Sequence, residues 1–255
     1  MDQVESKGIL LFRKDHKEKD MLVKIFTESS GKLMFYVKGA HRKNNPLAIA
    51  LMPYTQATYI GKFNSKGLSF LNSAKKIKPY SHIQKDIFAA GYATYLMNLA
   101  DAAIEDQLYD PALYTFLAQA LTALDQKLDG AVVSNIFEVQ ILQRFGVAIN
   151  WQECAVCGQN EGKFDYSSKY SGVLCEKHWH LDEHRYHADV GALHFIRLFD
   201  RIGYQDIHSI QLKKVTKKNI RLLLDQIYDE YVGLHLKSKK FIDQMDSWAD
   251  MLKPH

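Results

Sequence analysis

Cysteine is rare in this sequence, and long hydrophobic runs are missing from it. The 255 residues include only three cysteines, an odd number that suits metal binding better than a disulfide framework. No uncharged run approaches the roughly 18 apolar residues that a membrane-spanning helix needs. The N-terminus is polar and acidic and lacks the apolar core of a secretory signal peptide. We therefore expect a cytoplasmic protein that does not associate with membranes.

Motifs of several enzyme classes are also missing. The sequence contains no glycine-rich phosphate loop, no G-x-S-x-G nucleophile elbow and no dinucleotide-binding fingerprint. A metal-dependent nucleic-acid hydrolase would need an open metal site rich in carboxylates, and the sequence offers no such cluster. We therefore expect a protein that is not an enzyme.

Charged residues are unevenly distributed along the chain. Residues 1–80 contain 15 lysines and arginines against six acidic residues, a net charge of +9. Residues 81–150 contain three against eight, a net charge of −5, and residues 151–255 are balanced. A basic segment joined to an acidic one indicates that the first segment alone meets a polyanion. A solvated lysine-rich surface would give the same count.

The first 80 residues have the pattern of short strands. Branched and aromatic residues fill Met21–Thr27 and Lys32–Val37, and the turn residues between them predict a hairpin. Shorter apolar stretches predict further strands at Ile9–Phe12, Leu47–Leu51, Tyr54–Phe63 and Leu68–Ile77. About five short strands without a long helix predict a small closed or partly open barrel, and an SH3-like barrel would have a similar sequence.

After Pro79 the apolar residues follow a helical period. Helices are predicted at residues 83–104, 111–126, 131–145, 189–201, 216–236 and 239–252. Asp110 and Thr216 are expected to cap two of them, and Gly146 to end a third. We expect a multidomain α+β protein in four parts: a barrel at 1–80, a helical domain at 81–150, a metal-binding insert at 151–180, and a helical region at 181–255 that packs with 81–150.

The insert carries the most specific motif in the chain. Cys154-Ala155-Val156-Cys157 is followed, seventeen residues later, by Cys175-Glu176-Lys177-His178. Two knuckles of this spacing supply the two faces of a tetrahedral zinc site, and four closed ligands indicate one structural zinc per chain rather than a catalytic one. A packed thiol pair or a redox Cys-x-x-Cys is the alternative, although the βαβ context of a thioredoxin-like site is missing. The nearby His180, His184 and His187 are other candidates for the fourth ligand.

Two basic clusters are candidate binding surfaces. Lys38, His41, Arg42 and Lys43 follow a predicted strand and could contact a phosphate backbone. The strand aromatics Phe35, Tyr36, Tyr59 and Phe63 could stack on bases, although alternation directs at least half of them into the core. The second cluster, at the start of the long helix, is a candidate partner-binding surface made of Lys213, Lys214, Lys217, Lys218 and Arg221. A solvated helix end is the alternative for this second cluster.

Taken together, these features resemble the RecO family of bacterial recombination mediators. The resemblance rests on Ser6–Leu11, Tyr36–Arg42, Phe145–Val147 just before the first knuckle, Cys154–Gly158, and Ser171–Cys175. It implies an N-terminal OB-fold β-barrel followed by an all-α region that carries a zinc-finger insert. It also implies binding to single- and double-stranded DNA, strand annealing, and loading of recombinase onto coated single strands in the cytoplasm at the nucleoid. The implied partners are RecR and the acidic, apolar C-terminal tail of the single-stranded-DNA-binding protein.

Individual residues follow from the resemblance. Lys38 and Arg42 fall where the family has basic DNA contacts, and the metal ligands fall on the three cysteines. The common family pattern has a fourth cysteine where this chain has His178, and a Cys₃His set is a standard structural zinc site. Arg144 is a candidate from its position in this sequence and not from the resemblance. It is the only arginine or lysine between Lys127 and Lys163, and it follows the apolar stripe of Ile136, Val139, Ile141 and Leu142, so we expect it to clamp the carboxylate of the tail. An ordinary exposed arginine near a helix end is the alternative. A non-enzymatic zinc-containing scaffold that binds an acidic protein is the alternative function.

Overall fold

The structure, a computed structural model, describes residues 3–251, except for the side chains of residues 208, 209 and 246–251. The chain forms two compact units, of which the first contains the chain up to Lys127 and from Leu236 onward, and the second contains Leu128–His235. No helix in the described part of the chain is long and apolar enough to span a membrane. The four-part division at residues 80, 150 and 180 stays a prediction.

Five strands close a barrel in the first unit. They are β1 (Val4–His16), β2 (Asp20–Thr27), β3 (Gly31–Val37), β4 (Thr55–Lys62) and β5 (Ser69–Pro79). Their order around the barrel is β1-β2-β3-β5-β4, and β1 also pairs with β4. All pairs are antiparallel except β3 with β5. The predicted OB-like barrel is confirmed.

One predicted strand is wrong. Residues 47–51 form turns, in which the Leu51 N–H donates to the Leu47 carbonyl at 3.0 Å. Leu47, Ala50 and Leu51 are buried in the barrel core, and their spacing places all three on one face of a helical turn. The Tyr59 hydroxyl donates to the Ala50 carbonyl at 2.8 Å. The segment therefore covers the core instead of adding a strand.

Six α-helices follow the barrel in the part of the chain that the structure describes. They are α1 (Ile87–Ala103), α2 (Pro111–Asp125), α3 (Gly130–Ile141), α4 (Val190–Phe199), α5 (Lys214–Ile227) and α6 (Lys237–Met251). In the first unit α1 packs against α2 and α6, and the Asn98 amide donates to the Ser238 hydroxyl at 2.9 Å. The predicted α+β class, with a barrel followed by a helical region, is confirmed.

The helix ends agree with the sequence in two places and disagree in a third. The Asp110 carboxylate caps α2 by accepting from the Leu113 N–H at 2.8 Å, and Gly146 ends the turn after α3 with a φ of 79°. Thr216 does not cap α5, because that helix begins at Lys214 without a side-chain cap. A π-helical turn follows α5, and the left-handed Gly233 ends it with a φ of 62°. The predicted end of α6 at Leu252 lies outside the described residues.

The second unit contains a small sheet in addition to α3, α4 and α5. Its strands are β6 (Asn150–Cys154), β7 (Phe164–Ser167) and β8 (Gly172–Cys175), in the order β6-β8-β7. Strand β8 pairs in parallel with β6 and antiparallel with β7. Trp151 of β6 and Tyr166 of β7 are buried, with ring centroids 5.3 Å apart. The sheet thereby fixes the ends of β6 and β8, from which the cysteines project.

Candidate metal centre and nucleic-acid interface

The two predicted knuckles come together at the ends of β6 and β8. One ligand atom from each of Cys154, Cys157, Cys175 and His178 lies within 4.8 Å of the other three. Cys154 ends β6, Cys175 ends β8, and His178 lies in the short 3₁₀ helix (Glu176–Leu181) that follows. Gly158 has a φ of +72°, which lets the first knuckle turn back on itself. This cluster could hold a metal ion.

The spacing of the ligand atoms fits a tetrahedral ion. Thiolates at about 2.3 Å and an imidazole at about 2.0–2.1 Å from zinc give sulfur–sulfur separations of about 3.8 Å and sulfur–nitrogen separations of about 3.5 Å. The Sγ atoms of Cys157 and Cys175 lie 3.8 Å apart. His178 Nδ1 lies 3.5 Å from Cys154 Sγ and 3.3 Å from Cys175 Sγ. All three cysteines are free, and these separations are much longer than the sulfur–sulfur bond of about 2.0 Å in a disulfide.

Hydrogen bonds favour the thiolate form of the first cysteine. Burial alone would raise the pKa of the Cys154 thiol, but backbone N–H groups of Cys175, Val156 and Cys157, and then His178, lower that pKa to about 6. Burial and the two neighbouring thiols raise the pKa of Cys175. Thiolates that lie close together repel each other, and a divalent cation offsets that repulsion.

A half-buried arginine holds the first knuckle in place. The Arg197 guanidinium, from α4, donates to the carbonyls of Trp151 and Gln152 at 2.8 Å and of Asn160 at 2.9 Å. It also lies 4.0 Å from the centroid of the Phe164 ring. Burial lowers the pKa of Arg197. These contacts join both ends of the knuckle to one helix, and sequence reasoning did not find them because the partners lie about 40 residues apart.

The other nearby histidines lie outside the ligand group. The ring centroid of His180 is 6.4 Å from that of His178, while His184 and His187 are exposed. In the part of the chain that the structure describes, His178 is therefore the histidine that joins the three cysteines in a group that could hold a metal ion.

The first basic cluster is a tight turn after β3. Lys38, His41, Arg42 and Lys43 are all exposed, and we call residues 38–43 the basic turn. Gly39 has a φ of +65°, and a Cβ there would lie 2.8 Å from the Arg42 Nε. His41 pairs through Nε2 with the Asp15 carboxylate at 3.0 Å. The structure thus brings the four predicted contact residues together on one surface.

A carboxylate anchors the basic turn to β2. Asp20 accepts from the Gly39 N–H at 2.8 Å and from the Tyr36 hydroxyl. These two hydrogen bonds, the first being the stronger influence, lower the pKa of Asp20. The His41 N–H also donates to the Lys19 carbonyl at 3.2 Å. The turn therefore has a fixed position on the barrel.

The four strand aromatics fall on different sides of the barrel wall. Phe35 and Tyr59 are fully buried in the core, so they cannot reach a base. Phe63 is half-buried, with its ring centroid 5.1 Å from that of Phe35, and Tyr36 is half-buried on the outer face. Phe70 is 44% exposed beside Tyr36, a position that sequence reasoning missed because it depends on the pairing of β3 with β5.

Part of the second basic cluster forms ion pairs with residues of the same unit. Lys217 pairs with Asp129, and Arg221 pairs with the fully buried Glu138 and with Asp225. Lys213, Lys214 and Lys218 are exposed. Arg221 therefore contributes to the packing of α5 against α3.

Arg144 lies half-buried in the turn after α3. The apolar stripe expected beside it is at most 2% exposed at each of its four positions, Ile136, Val139, Ile141 and Leu142. That stripe belongs to the core of the second unit and does not line an open groove.

Comparison with known proteins finds a matching family for the N-terminal part of the chain and for the C-terminal part. The family described as "Recombination protein O N terminal" matches residues 1–80, and "Recombination protein O C terminal" matches residues 84–240. The chain belongs to the RecO family. DNA repair protein RecO of Enterococcus faecalis is 64% identical over 98% of this chain and 95% of its own length. The RecO proteins of Streptococcus suis and Lactococcus lactis subsp. cremoris are 44% and 46% identical, over 100% and 99% of this chain and 97% and 100% of their own lengths.

The RecO family boundaries agree with the elements described above. The N-terminal match covers the whole barrel to the end of β5, and the C-terminal match begins just before α1 and includes the cysteine cluster. Because the RecO relatives are matched over nearly their whole length, the similarity extends to both compact units.

Proposed function

We propose that this protein is a DNA repair and recombination mediator. It binds single- and double-stranded DNA, anneals complementary strands and helps to load recombinase onto coated single-stranded DNA. The near full-length similarity to proteins named DNA repair protein RecO supports the repair role. The observation that carries the DNA-binding part is the basic turn, in which Lys38, Arg42 and Lys43 project from a barrel of net charge +9.

The cysteine cluster has a structural role in this proposal. Cys154, Cys157, Cys175 and His178 bind one zinc ion per chain, and zinc supplies folding free energy to the small sheet. Four protein ligands leave no open position for a catalytic water. The protein acts by binding, not by chemistry, in the cytoplasm where the nucleoid provides its substrate.

Two surfaces are candidates for docking the tail of the single-stranded-DNA-binding protein. Such a tail ends in apolar residues behind carboxylates, so its receptor must combine apolar surface with cations. Val215 and Leu222 on α5 are 60% and 59% exposed, and the exposed Lys218 lies between them at helical spacing. This face supports docking there, with Lys213 and Lys214 nearby. Arg144 is the other candidate, and RecR is a further proposed partner.

Strand annealing on coated DNA tests the function. The wild-type protein should accelerate pairing of complementary oligonucleotides that carry the single-stranded-DNA-binding protein. The double variant Lys38→Ala/Arg42→Ala should slow annealing, and the dependence of DNA affinity on salt should lose about one unit of slope per removed phosphate contact. A matched control is Lys163→Ala, an exposed lysine of the second unit. Salt-independent binding, with no annealing by the wild type, would favour the interaction scaffold instead.

A further inference from the structure

The strand register aligns five side chains across the barrel. Lys14 of β1 pairs with Leu22 of β2, and Leu22 pairs with Tyr36 of β3. Tyr36 pairs in parallel with Phe70 of β5, and Phe70 pairs with Lys62 of β4. Each strand thus contributes one residue to a continuous row, which we call the outer row. Aromatic and aliphatic side chains form its middle, and a lysine forms each end.

The outer row lies on the outside of the barrel. Successive side chains of a strand point to opposite faces, and the neighbours Val23 and Phe35 are fully buried in the barrel core. Leu22 and Tyr36 must therefore point outward. Solvent reaches 44% of Phe70, and Tyr36 keeps part of its surface open.

The two rings are held in a fixed relation. Their centroids lie 6.2 Å apart with an angle of 70° between the planes, an edge-to-face contact. In an edge-to-face pair, the ring that presents its edge has neither of its two faces covered by the other ring. The Tyr36 hydroxyl donates to Asp20, the carboxylate that also accepts from the Gly39 N–H of the basic turn. One carboxylate thereby fixes both the ring and the cationic turn beside it.

The charges around the rings favour a nucleic acid over a protein. Lys14, Lys38 and Lys62 are exposed, and among the side chains that the structure describes no carboxylate lies at ion-pair distance from any of them. Protein interfaces are depleted in lysine at their centre, whereas single-strand binding sites combine cationic grooves with aromatic rings.

We propose that the outer row is a base-stacking platform that selects unpaired strands, with Tyr36 and Phe70 stacking on bases while Lys14 and Lys62 contact phosphates. This inference rests on the proposed DNA-binding function and adds a division of labour to it. The basic turn contacts backbone phosphates, which single strands and duplexes share. The rings can reach only bases that are not already stacked within a duplex.

Binding of two probes to the full-length protein tests this division. The probes are a fluorescein-labelled oligothymidine and a labelled duplex of the same length. Phe70→Leu and Tyr36→Leu remove a ring but keep an apolar side chain on the barrel surface. Each should weaken single-strand affinity by roughly 5- to 100-fold, the usual value of one stacked base, and should leave duplex affinity within about twofold. Tyr36→Phe keeps the ring and should retain most of the single-strand affinity.

A control variant tests whether the loss of any exposed aromatic ring would have the same effect on DNA affinity. Tyr109 precedes α2 and is 64% exposed, so Tyr109→Leu should change neither affinity. Equal losses for both probes, or no loss for either, would overturn the platform, and the second result would leave the row as a protein-docking surface. If the wild type itself binds neither probe, the proposed DNA-binding function fails first. As a direct readout, photocrosslinking of an iodouracil-substituted strand should label Tyr36 or Phe70, and labelling elsewhere alone would contradict the proposal.

Discussion

The Nζ of Lys32 donates a hydrogen bond to the Ile104 carbonyl at 2.7 Å. Lys32 lies on the outer side of β3 with only 2% of its side chain exposed, and Ile104 is the residue at which α1 ends. The same ammonium donates to the carbonyl and the carboxylate of Asp101. A buried cation thus caps the negative end of a helix dipole and joins the barrel to the first helix.

Replacement of Lys32 should therefore destabilise the first unit. Lys32→Met removes the donor and leaves the carbonyls at the end of α1 without it, at a cost of about 2–4 kcal/mol in the free energy of unfolding. Urea denaturation, followed by circular dichroism, measures this change. Lys7→Met provides the control, because the Lys7–Glu28 pair is exposed and should contribute less than about 1 kcal/mol. Similar effects of the two substitutions would show that Lys32 does not have this capping role.

Asp106 gives the same network a pH dependence. Burial alone would raise the pKa of Asp106, but hydrogen bonds and charges from Lys24 and Lys32 lower it below the ordinary 3.8. A lowered folded-state pKa contributes stability above pH 3.8, and that contribution is lost as the pH falls through the folded-state value. Asp106→Asn should thus be less stable than the wild type near neutral pH and indistinguishable from it in strong acid. Glu105→Gln, at an exposed neighbouring position, controls for the loss of one negative charge, and a difference for Asp106→Asn that persists in acid would contradict the ion pairing.

Local features of this molecule were predictable from the sequence. Asp110 caps α2 and Gly146 ends the turn after α3 because caps depend on a few adjacent residues. The two cysteine knuckles assemble for the same reason, since each forms within one turn. By contrast, the period of the five-residue apolar run at 47–51 does not distinguish a strand from a helical turn. The turn forms because it packs three of the five side chains into the barrel core.

Pairings between distant residues were not predictable. Arg221 forms an ion pair with the buried Glu138, which lies 83 positions away in the sequence. In the sequence Arg221 resembles a surface cation, because Lys217 and Lys218 lie close to it. Tyr36 and Phe70 become neighbours only through the parallel pairing of β3 with β5. A single sequence records strand alternation but not register, so it could not distinguish Tyr36 on the outside from Tyr59 in the core.

Metal content is the most direct test of the cysteine cluster. Protein purified without chelator should hold about one zinc per chain, and Cys157→Ser should lose it and destabilise the second unit, because structural zinc contributes folding free energy. Elemental analysis and thermal unfolding provide the two measurements. His178→Asn should behave like Cys157→Ser, whereas His180→Asn, outside the ligand group, should keep its zinc. A stable wild type without metal would leave the cluster as three packed thiols.

Arg197 should control how long the metal stays bound. Its three hydrogen bonds hold the carbonyls around the first knuckle, and partners of this outer kind typically affect metal affinity by about 10- to 100-fold. Arg197→Lys keeps the charge but loses the planar set of donors, so zinc should transfer to a colorimetric chelator faster by about that factor. Arg201→Lys, an exposed position at the end of the same helix region, is the control. An unchanged transfer rate would restrict Arg197 to packing against Phe164.

The tail-docking site is tested by charge reversal on α5. Lys218→Glu places a carboxylate between the exposed Val215 and Leu222, where it should repel the acidic tail and weaken binding of a tail peptide by about tenfold or more. Leu222→Ser should weaken the same peptide by removing apolar contact. Both variants should bind a free oligonucleotide as the wild type does, since the basic turn lies in the barrel. Fluorescence anisotropy of the labelled peptide measures the first effect, and Lys237→Glu, at the start of α6, controls for a change in net charge.

The competing site predicts the opposite pattern. If Arg144→Ala abolishes peptide binding while Lys218→Glu leaves it intact, the tail docks beside α3 and the exposed face of α5 has another role.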